Sequence, residues 1–488
     1  DHSLGLTLLQ SIQEDKNESN QVGVQDIASD KLQYNDIASA LTVDNIGSKL
    51  VKWNMASFMG RVNYSYKGKY LFTGSARYDG SSRLAEGHKW VLFPSIALGW
   101  RISEESFMKK QNIISNLKLR VGWGKTGNSA IDPYMTKGGL KLAKYVWDNG
   151  GKEVLGYAPS IMANDALTWE TTKQWNIGLD FGLFDNRLSG AIDFYLQNTS
   201  DLLLERQIPV VSGFGSVLSN VGETRNKGIE VSLSSMNINS KAFQWTTDVM
   251  FYANKESIES LYNGKIDDIG NSWFIGQPLH VFYDYEKIGI WQDTPEDIAE
   301  MKKFNDNGAS FKLGDIKIWD NGDNKITEAD RKILGTTSPK FIASMVNNFS
   351  YKGFDFSFFL YASMGSMLNN DIEYENKPGR ANSIVIDYWT PNNPTNAYPR
   401  PSVDNQEPAY VSTLRYQKAN YLRIRNITLG YTLPDKITSR LRARRIRLYF
   451  AANNPFVFTN FKGIDPEGAA GYTTPSCSTW MGGVNLSF

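Results

Sequence analysis

One segment has the spacing of a calcium-binding loop. Residues 319–330 read Trp-Asp-Asn-Gly-Asp-Asn-Lys-Ile-Thr-Glu-Ala-Asp. Ca²⁺ prefers oxygen ligands at alternate positions of such a loop, followed by a carboxylate at the twelfth position. With Asp330 twelfth, Asn321 is third and Asp323 is fifth, while Asp320 is displaced by one from the first position. These four oxygen-bearing side chains therefore predict a structural Ca²⁺ site, and the alternative is a polar turn that has lost the ion.

The sixth position of this loop is usually glycine, because the chain turns sharply there. Here it is Asn324. Asparagine adopts the left-handed conformation more readily than other side chains, so this departure is mild. The displaced Asp320 is the more serious departure, since it removes a charged ligand or requires a shorter loop. Either version of the segment is structural rather than catalytic.

The sequence contains little that could perform catalysis. Its three histidines, His2, His88 and His280, are far apart, and none lies in an HExxH frame. No serine lies in a GxSxG frame that would predict an activated nucleophile. The single cysteine, Cys477, excludes an internal disulfide and a cysteine metal cluster. We therefore predict that the protein is not an enzyme.

Nucleic-acid binding is also not expected, because the formal net charge is only +1. Arginines do cluster locally, but no nucleic-acid-binding motif accompanies them, so they are interpreted as a solvated turn flank. The members of this cluster are Arg440, Arg442, Arg444, Arg445 and Arg447.

Four tryptophans in long irregular stretches are candidates for contact with a substrate: Trp147, Trp273, Trp291 and Trp389. Sugar rings and peptides both pack on aromatic faces, so these residues could line a cargo site. The alternative is that they pack the loops together or against another protein. Lumen-facing carboxylates such as Asp180, Asp193 and Asp248 could bind cargo too, although ordinary hydrogen bonding within the barrel wall is the favoured interpretation.

The elements that would position these residues are strands. Apolar and polar residues alternate with a period of two, as in the stretch from Gln174 to Leu183. About fourteen such segments occur, each near the ~10 residues of a tilted membrane strand. Aromatic residues make up 13% of the chain. This combination is typical of an outer-membrane barrel, whose strands are half polar and whose aromatics gather at the membrane interfaces.

The connections between these segments alternate between two classes. Short turns lie near 67–69, 102–116, 185–187, 237–242, 352–353 and 433–444, and long stretches lie near 14–50, 80–89, 125–167, 199–223, 254–339, 364–415 and 454–479. An up-and-down barrel with short periplasmic turns and long extracellular loops has this order, whereas soluble sandwiches mix their loop lengths. The sequence therefore predicts an all-β, transmembrane, antiparallel barrel.

Fourteen strands that do not close would leave two edges in lipid. Outer-membrane transporters with a plugged lumen have ~22 strands. We therefore expect residues 1–488 to be the C-terminal part of one barrel domain, with an N-terminal plug and the first strands outside this sequence. The sequence opens directly into the first strand, so we expect the targeting segment to lie upstream of residue 1.

Several motifs, in order, resemble the C-terminal part of the SusC/RagA family of TonB-linked outer-membrane transporters, from about residue 50 to the end. Any one of them is weak, but their order and spacing are specific. They include FMGRVNYSY at 58–66, RYDGSS at 77–82, FPSIALGWR at 93–101, GKTGN at 124–128, NKGIE at 226–230 and WTPNNPT at 389–395.

This resemblance implies TonB-dependent import of a nutrient oligomer, an oligosaccharide in preference to a peptide, in the outer membrane of a Gram-negative, Bacteroidetes-like bacterium. It implies as partners a SusD-like surface lipoprotein that covers the extracellular mouth, the TonB–ExbB–ExbD complex, outer-membrane lipid, and a second transporter–lipoprotein pair in a dimer. The alternative function is a non-energised porin or a surface adhesin. Apart from the Ca²⁺ considered above, no cofactor is expected.

Overall fold

The computed structural model describes residues 1–146, 151, 153–371, 385–401, 408–468 and 476–488. Its main feature is one fourteen-stranded antiparallel sheet, here called the wall. The wall strands, in spatial order, are β1 (His2–Gln25), β2 (Thr42–Tyr66), β3 (Tyr70–Ser81), β4 (Trp90–Arg101), β5 (Ile114–Asn128), β8 (Glu170–Leu183), β9 (Leu188–Ser200), β12 (Glu223–Asn239), β13 (Phe243–Ser260), β18 (Phe341–Tyr351), β19 (Phe354–Met364), β22 (Tyr421–Thr432), β23 (Arg445–Thr459) and β24 (Thr479–Ser487).

Each wall strand pairs with the next wall strand in the chain, which gives an up-and-down topology. The two-residue turn Lys352–Gly353 between β18 and β19 has positive φ at both positions, as a hairpin of this length requires. The six connections at the end of the wall that contains this turn are short, and the connections at the opposite end are long. The predicted fold class, strand number and alternation of connections are confirmed.

The long loops contain their own small elements. Five two-stranded sheets pair β6 (Gly139–Val146) with β7 (Glu153–Ile161), β10 (Leu203–Gln207) with β11 (Ser216–Asn220), β14 (Val281–Asp284) with β17 (Lys332–Thr336), β15 (Lys287–Ile290) with β16 (Ile316–Ile318), and β20 (Met367–Asn369) with β21 (Tyr416–Lys418). The helices are α1 (Pro295–Asp306), α2 (Asp435–Thr438) and 3₁₀ helices at Asp30–Ser39, Ile102–Glu104, Met135–Lys137, Val210–Ser212, Glu328–Asp330, Val411–Arg415 and Ser439–Leu441.

The stretch 14–50, predicted as a loop, is mostly strand. β1 and β2 continue as one paired hairpin, with Glu14 opposite Asn54 and Gln25 opposite Thr42. Both strands are almost entirely exposed there. The prediction was wrong because side chains outside a membrane need no apolar face, so the period of two that marks the other strands is missing.

One face of the wall exposes apolar side chains in the membrane-spanning part of the strands. On β8, Trp175 and Ile177 are more than half exposed, and on β9 Phe194 is exposed in the same cross-strand row as Ile177. Exposed apolar residues in continuous rows are what lipid contact requires. The opposite face carries the polar residues of the same strands. None of the described helices combines the length and apolarity needed to cross a bilayer.

Candidate substrate-facing surface

Three strands of the wall share a charged network on the polar face. The Arg120 guanidinium on β5 donates hydrogen bonds of 2.7–3.0 Å to the Asp180 carboxylate on β8. It also donates two bonds of 3.0 Å to Asp193 on β9, one strand further away. One guanidinium therefore pairs with two carboxylates and ties three strands together, which is the bidentate pairing that arginine makes best. The Lys118 ammonium, 3.8 Å from Asp180, supplies a second positive charge.

Gly178 makes this reach possible. It lies in one cross-strand row between Arg120 and Asp193. A Cβ at this position would overlap both the guanidinium and the Asp193 carboxylate. The middle strand therefore has a glycine because the arginine side chain lies across it.

A second row uses the same arrangement. Gly228 on β12 lies between Tyr195 on β9 and Asn254 on β13. The Tyr195 hydroxyl donates to the Asn254 side-chain oxygen at 3.0 Å and passes over the glycine. A Cβ on Gly228 would overlap the tyrosine ring and the backbone oxygen of Ala253. In both rows a long side chain lies across a glycine and flat against the wall. The rows are Arg120–Gly178–Asp193 and Tyr195–Gly228–Asn254.

Two cavities lie beside these rows. One, of about 350 Å³, has a lining of amide, hydroxyl and carboxylate side chains together with two tyrosines: Gln174, Tyr195, Gln197, Asn226, Glu230, Tyr252 and Asn254. The second, of about 360 Å³, adjoins it through Glu230 and Tyr252 and includes Asp193. The rest of its lining is mostly apolar, with Ala191, Val231, Met250, Phe251 and Ile342. We call this combined surface the polar trough. It offers hydrogen-bond donors and acceptors to a polar ligand. Its lining includes Ser232 and Ser344 but, among the described residues, neither a cysteine nor a histidine.

The loops at the other end of the wall have an apolar core of their own. It joins β15, β16 and segments near 386–398 and 411–414, and we call it the loop core. Its buried members are Ile290, Ile316, Ile318, Ile386, Trp389, Tyr398, Val411 and Leu414. Trp389 is only 5% exposed, and its indole N–H donates to the Gln292 side-chain oxygen at 2.9 Å.

Trp291, next to this core, is 1% exposed. The Lys317 ammonium lies 4.4 Å from the centre of its ring and also forms ion pairs with Asp297 at 2.9 Å and Glu300 at 2.6 Å. The Trp291 ring also contacts Phe304 edge-on. The structure thus places Trp291 and Trp389 inside loop packing, where no ring face is open to a substrate.

The two other candidate tryptophans differ. Trp273 is partly buried, and its backbone pairs with that of Asp268 in an isolated bridge. Trp147 lies outside the described residues. The structure does not bring Trp273 together with Trp291 and Trp389 into one cluster of packed rings among the residues it describes. Cargo stacking on Trp147 or Trp273 remains a prediction.

The calcium-like segment forms a turn held by side-chain to backbone hydrogen bonds. Asp330 is fully buried, and its carboxylate accepts from the backbone N–H groups of Asn321 at 2.9 Å and Thr327 at 2.7 Å. Asp330 and Thr327 form a reciprocal capping box at a 3₁₀ helix. Asp320 accepts from the backbone N–H groups of Gly322 and Asn324. The fourth candidate ligand, Asp323, accepts from the Lys325 N–H.

Asn324 has φ of 59°, so the expected left-handed conformation at the sixth position is confirmed. The three candidate carboxylates, Asp320, Asp323 and Asp330, do not converge on one point. In the part of the chain that the structure describes, no three His, Cys, Asp or Glu side chains approach closely enough to hold a metal ion. The described geometry is that of a polar turn, and binding of Ca²⁺ by Asp320, Asn321, Asp323 and Asp330 stays a prediction.

Comparison with known proteins places this wall in a family. The sequence matches the family described as "TonB dependent receptor-like, beta-barrel" over residues 7–455. The chain belongs to the TonB-dependent receptor family. It is 35% identical over 481 residues to TonB-dependent receptor P3 of Formosa agariphila, and the matched region covers 96% of this chain and 47% of that protein. It is 32% identical over 466 residues to TonB-dependent receptor SusC of Bacteroides thetaiotaomicron, covering 89% and 44%.

Solved structures agree with this assignment. The RagAB peptide importer in its "open-open" state superimposes with a TM-score of 0.82 at 26% identity, covering 99% of this chain and 53% of the other. The resemblance to SusC and RagA is confirmed, and with it the outer-membrane location. TonB-dependent receptors are not enzymes, in agreement with the prediction. The chain spans about half the length of the curated relatives it matches.

The sequence predicted part of the polar face of this TonB-dependent receptor wall. Asp180 and Asp193 were expected on the lumen face and lie there in the Arg120 network. Tyr195, Glu230 and Tyr252 were not recognised as members of one surface. A usable signal was present, because a glycine on the polar face of a strand marks a position over which a long neighbouring side chain can lie.

Proposed function

We propose that the full-length protein imports a nutrient oligomer across the outer membrane, energised by a TonB–ExbB–ExbD complex. The observation that carries this proposal is the polar trough, in a chain that belongs to the TonB-dependent receptor family. The trough provides hydrogen-bonding groups along several strands instead of one deep pocket, which suits an extended polar ligand. A non-energised porin or an adhesin is not favoured by this family membership.

An oligosaccharide is the preferred cargo. The trough combines carboxylate and amide groups, which hydrogen-bond to hydroxyls, with the rings of Tyr195 and Tyr252. A peptide is the second candidate, because the superimposed RagAB structure is a peptide importer. A peptide backbone would use the same donors and acceptors, so the trough alone does not separate the two.

A SusD-like lipoprotein is proposed as the extracellular partner. The hairpin β6–β7 rises from the long connection between β5 and β8 and exposes large apolar side chains, among them Leu140, Leu142, Leu155 and Tyr157. Exposed apolar groups in this number mark a protein contact surface. Pairing of two transporter–lipoprotein units and contact of the wall with outer-membrane lipid belong to the same proposal.

A structural Ca²⁺ in the 319–330 turn is also retained as a proposal. Binding would require Asp320 and Asp323 to exchange their backbone N–H partners for the ion. Because the turn packs at the loop core through Ile318 and Ile326, the ion would stiffen the loops and would not take part in transport chemistry. Thermal unfolding of the full-length protein with millimolar Ca²⁺ and with excess chelator tests this. A higher unfolding temperature with Ca²⁺ than with chelator supports the site, and equal temperatures reject it.

The import proposal is tested on the native full-length protein, purified from outer membranes in mild detergent. Mass spectrometry should identify a co-eluting surface lipoprotein and a bound oligomer, whose chemistry separates glycan from peptide. A matched comparison uses Leu140→Asp/Tyr157→Asp, which should lose the lipoprotein and keep the barrel, and Val211→Asp as a control at an exposed position of another long loop. Recovery of neither a lipoprotein nor an oligomer from the wild-type protein contradicts the proposal.

A further inference from the structure

The short turns of the wall carry an excess of positive charge. These six connections contain eleven Lys and Arg residues against four Asp and Glu residues, whereas the whole chain has a formal net charge of +1. The rest of the chain is therefore net acidic. Charge is thus segregated between the two ends of the wall, with cations concentrated at the periplasmic end.

An aromatic belt sets the depth of these cations. Tyr66, Tyr70 and Tyr351 are the strand residues next to two of the turns. Lys67 and Lys352 follow Tyr66 and Tyr351 directly, and in each case the ammonium lies 5.2 Å from the centre of the tyrosine ring. Tyrosines of this kind sit at the boundary between hydrocarbon and headgroups. The turn cations just beyond them therefore lie at the level of the lipid headgroups.

The turn 433–444 between β22 and β23 has the highest density of cations. Lys436, Arg440, Arg442 and Arg444 are all exposed on or beside α2 and the following 3₁₀ helix. Among the described residues, none of these four side chains has a carboxylate within 4.0 Å, the limit for an ion pair. Asp435 is the only acidic residue of the turn.

This turn also faces lipid. Ile446, at the start of β23, shares the strand face of the exposed Leu448 and Phe450, yet it is buried. Because α2 packs against β23, the helical segment covers the foot of the lipid side of the strand. The segment itself exposes Ile437 and Leu441, which are 46% and 59% exposed. Apolar side chains next to a row of cations are typical of a segment that lies in a membrane interface.

We propose that the turn 433–444 binds the phosphate of an anionic phospholipid in the periplasmic leaflet. Arg440, Arg442 and Arg444 present planar donor groups that match a phosphodiester oxygen pair, while Ile437 and Leu441 contact the acyl chains. The turn acts as an interfacial anchor that fixes the vertical position of the wall at its C-terminal end. This inference depends on the outer-membrane location and not on import, so it can fail while the proposed function holds.

The test uses the full-length transporter in nanodiscs that contain phosphatidylcholine and phosphatidylglycerol in equal amounts. After gentle extraction, mass spectrometry measures the ratio of the two lipids retained by the protein. The wild type should be enriched in phosphatidylglycerol, and high salt should reduce that enrichment, because interfacial charge contacts are screened. In the variant R440Q/R442Q/R444Q, the enrichment should fall roughly fivefold for each removed charge that contacts a headgroup.

Two further variants make the result specific. R440K/R442K/R444K keeps the charge but loses the planar donor pairs, so its enrichment should lie between those of the wild type and R440Q/R442Q/R444Q. K137Q/K265Q/K303Q removes three exposed cations from the long loops and should leave the enrichment unchanged. Equal phosphatidylglycerol retention by wild type and R440Q/R442Q/R444Q overturns the proposal, as does a wild-type preference that high salt does not alter. If the turn instead binds a periplasmic protein, phosphatidylglycerol retention should depend neither on salt nor on the three arginines.

Discussion

The wall and the extracellular loops of this protein use aromatic residues in opposite ways. On the wall, aromatic rings such as Trp175 and Phe194 point outward and are exposed. In the loops, Trp291 and Trp389 are buried in packing that resembles the interior of a small soluble domain. The difference shows that aromatic content alone does not locate a binding surface. Among these described residues, the polar trough presents open hydrogen-bonding groups, whereas Trp291 and Trp389 do not.

The largest expected effect comes from removing the Trp389 side chain. Trp389→Ala in the full-length protein should cost about 3–5 kcal/mol of local stability, because it empties a buried position of the loop core. Hydrogen exchange should then lose protection in 285–336 and leave the wall protected. Trp480→Ala, which truncates an exposed ring on β24, is the control and should leave the loops unchanged. If both variants exchange alike, the loop core does not depend on Trp389.

On the wall, the corresponding test is Gly228→Ala. The added Cβ overlaps the backbone oxygen of Ala253 as well as the Tyr195 ring, so the strands must shift. Overpacking of this kind costs about 1–3 kcal/mol. The unfolding temperature in detergent should fall, whereas Gly47→Ala should leave it unchanged, because nothing lies within 4 Å of its Cβ position. An unaltered Gly228→Ala protein would show that Tyr195 does not need this glycine.

The 319–330 turn is expected to respond less. Asp330→Ala removes the carboxylate that caps the 3₁₀ helix and leaves two backbone N–H groups without that acceptor. Loss of a cap costs about 0.5–2 kcal/mol. Proteolysis should become faster within 316–336 and stay unchanged elsewhere. The comparison variant is Asp323→Ala, whose exposed carboxylate makes one local bond and should matter less. The reverse ranking of the two variants would indicate that Asp323 has a ligand role.

The smallest effect concerns pH and the turn end of the wall. The Tyr70 hydroxyl, the Trp100 indole and the Lys69 ammonium donate hydrogen bonds to Glu105 and lower the pKa of its carboxyl to about 2. Since the pKa in the folded state is below its ordinary value of 4.5, the stabilisation is present above that pH. It is lost as the pH falls through about 2.

Glu105→Gln should therefore lower the unfolding temperature at neutral pH only slightly, because Glu105 and Lys69 are only partly buried and solvent screens their interaction. The difference from wild type should shrink between pH 4.5 and 2. Glu104→Gln, which alters an exposed ion pair with Arg101, serves as the neighbouring control. A difference that grows on acidification would contradict the assigned hydrogen bonds.

The fold was predictable from the sequence because each wall strand repeats a simple physical constraint, with lipid on one face and polar groups on the other. The stretch 14–50 was mispredicted for the same reason, since that constraint is absent outside the membrane. The site was less accessible. Burial of Trp291 and Trp389 depends on contacts between segments about 100 residues apart, such as Gln292 with Trp389. No local pattern encodes those contacts.

The polar trough lay between these extremes. Its Asp193 could be placed on the lumen face by alternation, whereas the pairing of Arg120 with both Asp180 and Asp193 depends on the register of three strands. Register is set by pairing along the whole strand, so single residues do not reveal it. Gly178 and Gly228 are the residues in the sequence that indicate this register, because side chains of neighbouring strands lie across them.

The central claim is that the polar trough contacts the imported oligomer. The most direct test measures uptake of the labelled oligomer recovered from the native complex, in cells that express the full-length transporter with Tyr195→Phe/Glu230→Gln. Uptake should fall at least tenfold, with unchanged surface levels and unchanged lipoprotein binding, while Trp291→Phe transports normally. Wild-type uptake by the trough variant, together with loss of uptake in Trp291→Phe, would indicate a cargo site in the loops. It would contradict the role proposed for the polar trough.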